Sequence, residues 1–556
     1  MPLSPRIFPL LVVAGFSFVV AAHAVAADPA SRSNPSVPAP DKTARPNIIV
    51  ILVDDMGFSD IGCYGSEIPT PNLDHLAATG LRFTQFYNTG RCCPTRAALL
   101  TGLYSHQAGV GLMVGSQGLP GYLGHLNDQC VTLAEVLGPA GYFTAMSGKW
   151  HVGQEQGVTP WTRGFDRSLN SPAGGFYFPA DTRAELYLNG RKLANDDPQL
   201  PKNWYTTDLW TDYGIQFIHE AIDEKKPFFL YLAYNAPHFP LEAPPEDIAR
   251  FRGKYKIGWD QLREQRHARE RSMGVLDPGW ALSPRPDPVK AWDALNPERQ
   301  DHFDHIMSIY AACVAHMDAA VGRLVADLEK RGVMDNTLIL FMSDNGGNAE
   351  SGPEGRLEGA DPGGPRSQVY CGQSWATLEN TPFRRYKHFN HEGGVATPLI
   401  VHWPAKIKDP GTFRRQMGHV IDIMPTCVEV AGAKYPTEFK SHPILPMEGR
   451  SLVPALDNRP IERDAIYWEH EGNAAIREGD WKLVRAGRNG AWELYDMKAD
   501  RTELHDLSAT ESARAQALAE KWEAWALRAQ VKPYPPGKKA GSASEKPPKS
   551  EVRPAD

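Results

Sequence analysis

Asn47-Ile48-Ile49-Val50-Ile51-Leu52-Val53-Asp54-Asp55 contains six consecutive apolar residues, five of them β-branched, closed by two adjacent carboxylates. A strand with one wet face alternates apolar and polar residues. This run has no polar face to offer, so it is predicted to lie inside a sheet covered on both sides. Phe228–Tyr234, Thr337–Met342 and Pro398–Trp403 read the same way, with helical patterns at Asn72–Thr79, Val131–Gly141 and from about His302 to Arg331. Strands alternating with helices predict an α/β fold with a large, mostly parallel central sheet sandwiched by helices. Ligands of such sheets gather at the carboxyl ends of the strands. The first run ends in Asp54-Asp55, the second leads into Asn235-Ala236-Pro237-His238, and the third into Ser343-Asp344-Asn345-Gly346-Gly347. Three polar strand ends at equivalent positions predict one composite site.

Around this core the 556 residues divide by composition. Residues 1–27 carry Arg6, an apolar run from Ile7 to about Val20 and small residues through Ala27, the pattern of a cleavable signal peptide. Pro9 and Gly15 break a run already short for a membrane anchor, and no later stretch reads as apolar enough to span a bilayer. The expectation is a periplasmic or secreted protein without stable membrane insertion. Residues 28–45, rich in Pro, Ser and Ala, read as a linker, 46–450 as the main domain and 451–535 as a C-terminal subdomain. In the subdomain, short strands at Ala465–Glu469, Ala474–Arg477, Lys482–Arg485 and Trp492–Tyr495 precede a helix near Ser512–Ala529, predicting a smaller antiparallel sheet plus helix. The Lys-, Ser- and Pro-rich tail 536–556 reads as disordered. Glu242–Pro297 and Ala349–Thr381 read as surface excursions over the site.

A net charge of −7, with 22% charged and 42% hydrophobic residues, gives no electrostatic case for a nucleic-acid partner. An anion site in such a chain must be local. Gly90-Arg91-Cys92-Cys93-Pro94-Thr95-Arg96 offers one, because proline favours a helix start and a helix start presents free backbone N–H groups. Cys92 is expected just before the helix, with Arg96 four residues on reaching back toward it. Asp54 and Asp55 with Asp344 and Asn345 make an all-oxygen set suited to Ca²⁺ or Mg²⁺, although both pairs also serve as plain turn formers. Lys149 and His151 lie two residues apart in Gly148-Lys149-Trp150-His151; His238 follows a strand; Lys387 sits among other basic residues that composition cannot rank.

The order of these pieces is more specific than any one of them. Cys92-x-Pro-x-Arg96 followed by Ala97-x-Leu99-x-Thr101-Gly102, together with Asp54-Asp55-Met56-Gly57, Gly148-Lys149-Trp150-His151, Asn235-Ala236-Pro237-His238, Ser343-Asp344-Asn345-Gly346 and Lys387 ahead of Glu392-Gly393-Gly394, resembles the sulfatase family, and most of all its bacterial arylsulfatases. The resemblance runs from about Pro46 to Asp496, departing at Thr95, where serine is commonest. It implies that 46–450 is the catalytic domain and that a formylglycine-generating maturation enzyme oxidises Cys92, not Cys93, to formylglycine. It further implies a calcium ion held by Asp54, Asp55, Asp344 and Asn345 with the modified Cys92, and a surrounding site of Arg96, Lys149, His151, His238 and Lys387. The implied activity is hydrolysis of a small-molecule sulfate ester, with His238 as acid for the leaving oxygen and His151 as base. A phosphonate monoester or phosphodiester hydrolase using the same site is the alternative, and a non-catalytic sulfate-ester binder the more distant one. Conversion of Cys92 leaves six cysteines, an even number that permits disulfides in an exported protein. Tyr370, Trp375, Tyr386 and His391 are candidates for the mouth of the site.

Overall fold

The computed structural model describes residues 45–535, so the predicted signal peptide, all but the last residue of the linker, and the tail lie outside the described residues. Asn47–Val53 sits near the middle of an 11-stranded sheet, paired in parallel with Phe228–Ala233 on one side and Thr337–Ser343 on the other. Phe143–Lys149 and Arg167–Ser171 extend the parallel part beyond Phe228–Ala233. Successive side chains of a strand point to opposite faces. Ile48, Val50 and Leu52 therefore join one core with the helices Cys92–Thr101, Leu133–Leu137 and Ile423–Ala431, while Ile49, Ile51 and Val53 join another with Pro71–Thr79, Thr206–Asp223 and the 34-residue helix Pro297–Lys330.

The sheet is mixed, and one predicted strand runs backwards. Ala396–His402 is antiparallel to both its neighbours, Leu81–Tyr87 and Thr337–Ser343, so the run Pro398–Trp403 is not a parallel strand. Pro398 lacks an N–H and the register shifts there, between Thr397 and Leu399. The buried Tyr64 hydroxyl fills the gap, accepting from Leu399 N at 3.2 Å and lying 2.8 Å from the Phe83 carbonyl oxygen to which it donates.

Three other expectations change. The Val131–Gly141 pattern yields only the helix Leu133–Leu137, opened by a Thr132–Glu135 capping box and stopped at Gly138. Glu242–Pro297 is not merely a surface excursion: Trp259–Met273 is a helix, and Trp259 meets Trp292, Phe303 and Trp375 at ring-centroid distances of 4.8, 4.8 and 5.4 Å in a separate core cluster. Trp375 carries Ala349–Thr381 into the same cluster. The helix Pro297–Lys330 does hold an 18-residue window with mean hydropathy 1.3, long and apolar enough to cross a bilayer, yet 72% of that window is buried against the rest of the protein. It is a core helix.

At the C-terminal end, Ile466–His470, Asn473–Glu478, Trp481–Arg485 and Glu493–Asp496 form the expected antiparallel sheet, followed by the helix Ser512–Arg528. Trp468 Nε1 donates to the Asn88 carbonyl at 2.8 Å, and Lys482, Arg501 and Tyr87 converge on Glu392 between the two sheets. The small sheet is thereby pinned to the loop carrying Lys387.

Candidate active site

Adjacent aspartates of a regular strand point to opposite faces, so Asp54 and Asp55 converge only because the chain turns. Asp55 adopts a left-handed backbone with φ +64°, a conformation aspartate tolerates better than most residues. Asp54, fully buried, accepts from Lys149 Nζ at 2.6 Å and Arg96 Nη2 at 3.1 Å through Oδ2. Asp55 Oδ1 meets Lys387 Nζ and Asn345 Nδ2, each at 2.7 Å, and His238 Nε2 lies 3.6 Å from its Oδ2. Arg96 also reaches Asp344 Oδ2 at 2.8 Å.

Cys92 is the first residue of its helix rather than a residue before it, and Pro94 is the third, so the helix starts two residues ahead of the proline expected to open it. All ten residues of this helix are buried, which holds its amino end rigidly at the sheet edge. Thr95 explains why a hydroxyl stands there: its Oγ1 donates to the Asp344 carbonyl at 2.6 Å and lies 2.8 Å from Thr89 Oγ1, tying the helix to the third strand end. Ligand atoms of Cys92, Cys93 and His151 lie within 4.8 Å of one another. A hydrogen bond from Cys93, with Lys149 and His151 nearby, holds the Cys92 thiol well below the usual range, whereas burial pushes Cys93 well above it. The two vicinal cysteines are thus chemically unlike. All seven cysteines are free and buried, so no disulfide forms.

Burial opposes the charge on Asp54, but Lys149, His238 and Arg96 hold its carboxyl well below the ordinary carboxylate range. Burial together with Asp54 drives Asp344 the other way. His151 is lowered to about 4 by burial and by Lys149, and burial also lowers His238. Both imidazoles are therefore neutral near pH 7.

Asp54 Oδ1 and Asn345 Oδ1 are buried without a hydrogen-bond partner, an arrangement that costs free energy unless a cation completes it. With Asp55 and Asp344 beside them, the donors are hard oxygens and fit Ca²⁺ or Mg²⁺.

The nine sequence-derived residues other than Cys92 thus surround it in one connected cluster, while the mouth is only partly as expected. Tyr370 contributes through Phe239, which the sequence reading missed: Phe239 stacks on His238 at 4.3 Å, meets Tyr370 at a tilt with ring centroids 4.8 Å apart, and lies 5.2 Å from Lys387 Nζ. Tyr386 lines a cavity of about 750 Å³ beside Lys387. Trp375 and His391 are fully buried, the first in the aromatic cluster and the second against Glu493, so neither reaches the mouth. Asn348, whose Nδ2 donates to Asp55 Oδ2 at 3.0 Å, and Glu350, 3.5 Å from Lys387 Nζ, also escaped the sequence reading. Asn348 follows directly on Ser343–Gly347 and was within reach of that motif; Glu350 lies in a Gly-rich stretch with no local signal. A larger cavity of about 980 Å³, lined by Pro46 and Trp403, lies at the start of the first strand, away from all of this chemistry.

A family model described as Sulfatase matches residues 46–433, and one described as N-sulphoglucosamine sulphohydrolase, C-terminal, matches 384–528. The chain is 34% identical over 520 residues to an uncharacterized sulfatase of Schizosaccharomyces pombe, covering 86% of this chain and 93% of that one. It is 37% identical over 426 residues to an arylsulfatase of Klebsiella aerogenes, covering 73% and 91%. A crystal structure of Ps i-CgsB in complex with k-i-k-neocarrahexaose superposes with a TM-score of 0.64 at 30% identity, covering 87% of this chain and 93% of that one.

Proposed function

The chain belongs to the sulfatase family, and from that membership we propose an exported arylsulfatase that hydrolyses sulfate monoesters with formylglycine at position 92 and a calcium ion held by Asp54, Asp55, Asp344 and Asn345. The observation that carries the proposal is the placement of Cys92, at the head of a buried helix and beside Lys149 and His151, next to two orphaned carbonyl-type oxygens of an all-oxygen set. When bound, calcium supplies a Lewis acid that polarises the sulfate ester. Oxidation of Cys92 would supply an aldehyde whose hydrate has two hydroxyls: one to attack sulfur as the alcohol leaves, the other to lose its proton so that the C–O bond to sulfate breaks and the aldehyde returns.

The remaining residues balance charge and move protons. Lys149, Arg96 and Lys387 set three cations around the sulfate position, fixed by carboxylates and so requiring little reorganisation during reaction. Neutral His151 is placed to accept the proton of the second hydroxyl at position 92, the loss that would release sulfate. His238, whose Nδ1–H donates to the Phe239 carbonyl, turns Nε2 toward Asp55; it acts as the acid for the departing oxygen only as the imidazolium, with a second proton taken up on Nε2 before the ester bond breaks. The Klebsiella relative supports an aryl ester, and the neocarrahexaose bound in the superposed structure adds carbohydrate esters to the substrates to be tried.

The test is peptide mass spectrometry of the purified protein with a parallel assay on nitrophenyl sulfate, phosphate and phosphonate esters. Position 92 is expected about 18 Da lighter than cysteine, with Cys93 unchanged and sulfate turned over fastest. Exhaustive chelation abolishes turnover and calcium restores it better than zinc. An active enzyme with an intact Cys92 thiol, or faster turnover of phosphonate, overturns the proposal.

A further inference from the structure

A second cluster of ligating side chains lies beside the site without taking part in it. The cavity next to Lys387 is lined by His388, Glu350 and Glu471, and behind them His470 closes a strand of the C-terminal sheet. Ligand atoms of His388, His470 and Glu471 all lie within 4.8 Å of one another. His470 is fully buried, and neither ring nitrogen has a hydrogen-bond partner; its nearest acidic oxygen is Glu471 Oε1, 3.8 Å from Nε2. A buried imidazole with both nitrogens unsatisfied is costly, and the cost is removed when one of them binds an ion.

We propose that His388, His470 and Glu471 form a site for a zinc-type divalent cation, distinct from the oxygen site at Asp54 and Asp344. Two imidazoles and one carboxylate are a borderline donor set that favours zinc over calcium, with a fourth position open toward the cavity. His388 is already arranged for it. Its Nδ1 faces Glu471 Oε2 at 2.6 Å, the side on which the ion enters, while its Nε2 faces Glu350 Oε1 at 2.9 Å and, on the same side, Arg91 Nη1 at 2.5 Å, itself paired with Glu350. A carboxylate on the far nitrogen fixes the tautomer and orientation of a metal-binding histidine.

The ion ties two separate parts of the chain. His388 follows Lys387 directly, and Glu471 lies in the hairpin turn between Ile466–His470 and Asn473–Glu478. Asn473 Nδ2 already donates to the His388 carbonyl at 2.9 Å across that junction. Glu350 touches both His388 and Lys387, so an ion at His388 stiffens the wall of the cavity that Lys387 lines.

The test uses full-length mature protein, stripped with chelator and resaturated with calcium, then titrated with zinc and separately with cobalt(II). One zinc per chain above the calcium content is expected, with cobalt giving visible d–d absorption free of thiolate charge transfer. His470→Gln abolishes the uptake, and Glu471→Gln, on the exposed turn, weakens it tenfold or more. No zinc uptake by the wild-type protein overturns the proposal. So does uptake that persists in both variants, and a thiolate band with it places the metal at Cys92, Cys93 and His151 instead. Every readout is binding or absorption, so failure here is distinguishable from failure of the sulfatase reading, which is scored by turnover and by the mass at position 92.

Discussion

Two fully buried charged clusters in this protein use the same residue types to opposite ends. Around Glu392, between the large and small sheets, every carboxylate oxygen is answered: Oε1 by Lys482 at 2.8 Å, Oε2 by Arg501 at 2.8 Å and Tyr87 at 3.0 Å. Around Asp54 and Asp55, carboxylates and cations are packed as closely, yet Asp54 Oδ1 and Asn345 Oδ1 are left without partners and a thiol with depressed pKa stands beside them. Satisfaction of both Glu392 oxygens makes the first cluster a clasp. Incomplete satisfaction makes the second a receptor, because its unmet hydrogen-bonding capacity is available to a ligand.

If that distinction holds, damage to the receptor removes activity and spares stability, and damage to the clasp does the reverse. The largest effect belongs to Cys92→Ala, which should lower nitrophenyl sulfate turnover by roughly 10⁴-fold or more while leaving the melting temperature nearly unchanged. Cys93→Ala should keep most of the activity; the opposite pattern moves the nucleophile to Cys93. Next comes His238→Ala, expected to cost about 10²–10⁴ with alkyl sulfates of high leaving-group pKa and far less with nitrophenyl sulfate. Equal losses across a leaving-group series would make His238 a positioning residue for Asp55.

On the clasp side, Lys482→Met strips a cation from Glu392 and Glu503 and should destabilise the protein by about 3–5 kcal/mol in denaturant unfolding, with turnover per folded molecule retained. A loss of activity without loss of stability would show that the clasp acts on the Lys387 loop directly. The smallest effect is the acid limb. Burial alone would raise the Glu392 pKa, but Lys482, Arg501 and Arg477 hold it down to about 2, below the ordinary 4.5. Its contribution, about 3 kcal/mol, is thus complete above pH 4.5 and lost as the pH falls toward 2. In Lys482→Met the stability lost between those pH values should shrink, and an unchanged acid limb would assign it to other carboxylates.

The fold was legible where one physical signal dominated. An apolar β-branched run such as Ile48–Val53 has no alternative to burial on both faces, and the polar residues that close it must then lie at a sheet edge, so Asp54, Asp55, Asp344 and Asn345 were identifiable from their neighbours alone. Cys92 and Arg96 were legible for a similar reason, since proline and the turn spacing of a helix are local. The direction of Ala396–His402 was not, because an apolar run carries no arrow and only pairing with Leu81–Tyr87 and Thr337–Ser343 sets it. Nor was the core role of Trp259 and Trp375, which depends on partners distant in sequence.

Lys387, Phe239, Asn348 and Glu350 show the same division within the site. Composition could not rank Lys387 among arginines of equal charge; the family resemblance singled it out, and the structure sets its Nζ 2.7 Å from Asp55, whereas Glu350 had no motif to mark it. Sequence by itself determined which backbone segments are strands with polar ends and which thiol opens a helix, because those properties are set by near neighbours. Tertiary structure alone decided which charges are answered and which are left open, because satisfaction of a buried polar atom depends on residues hundreds of positions away, as the contact between Asp55 and Asn345 does.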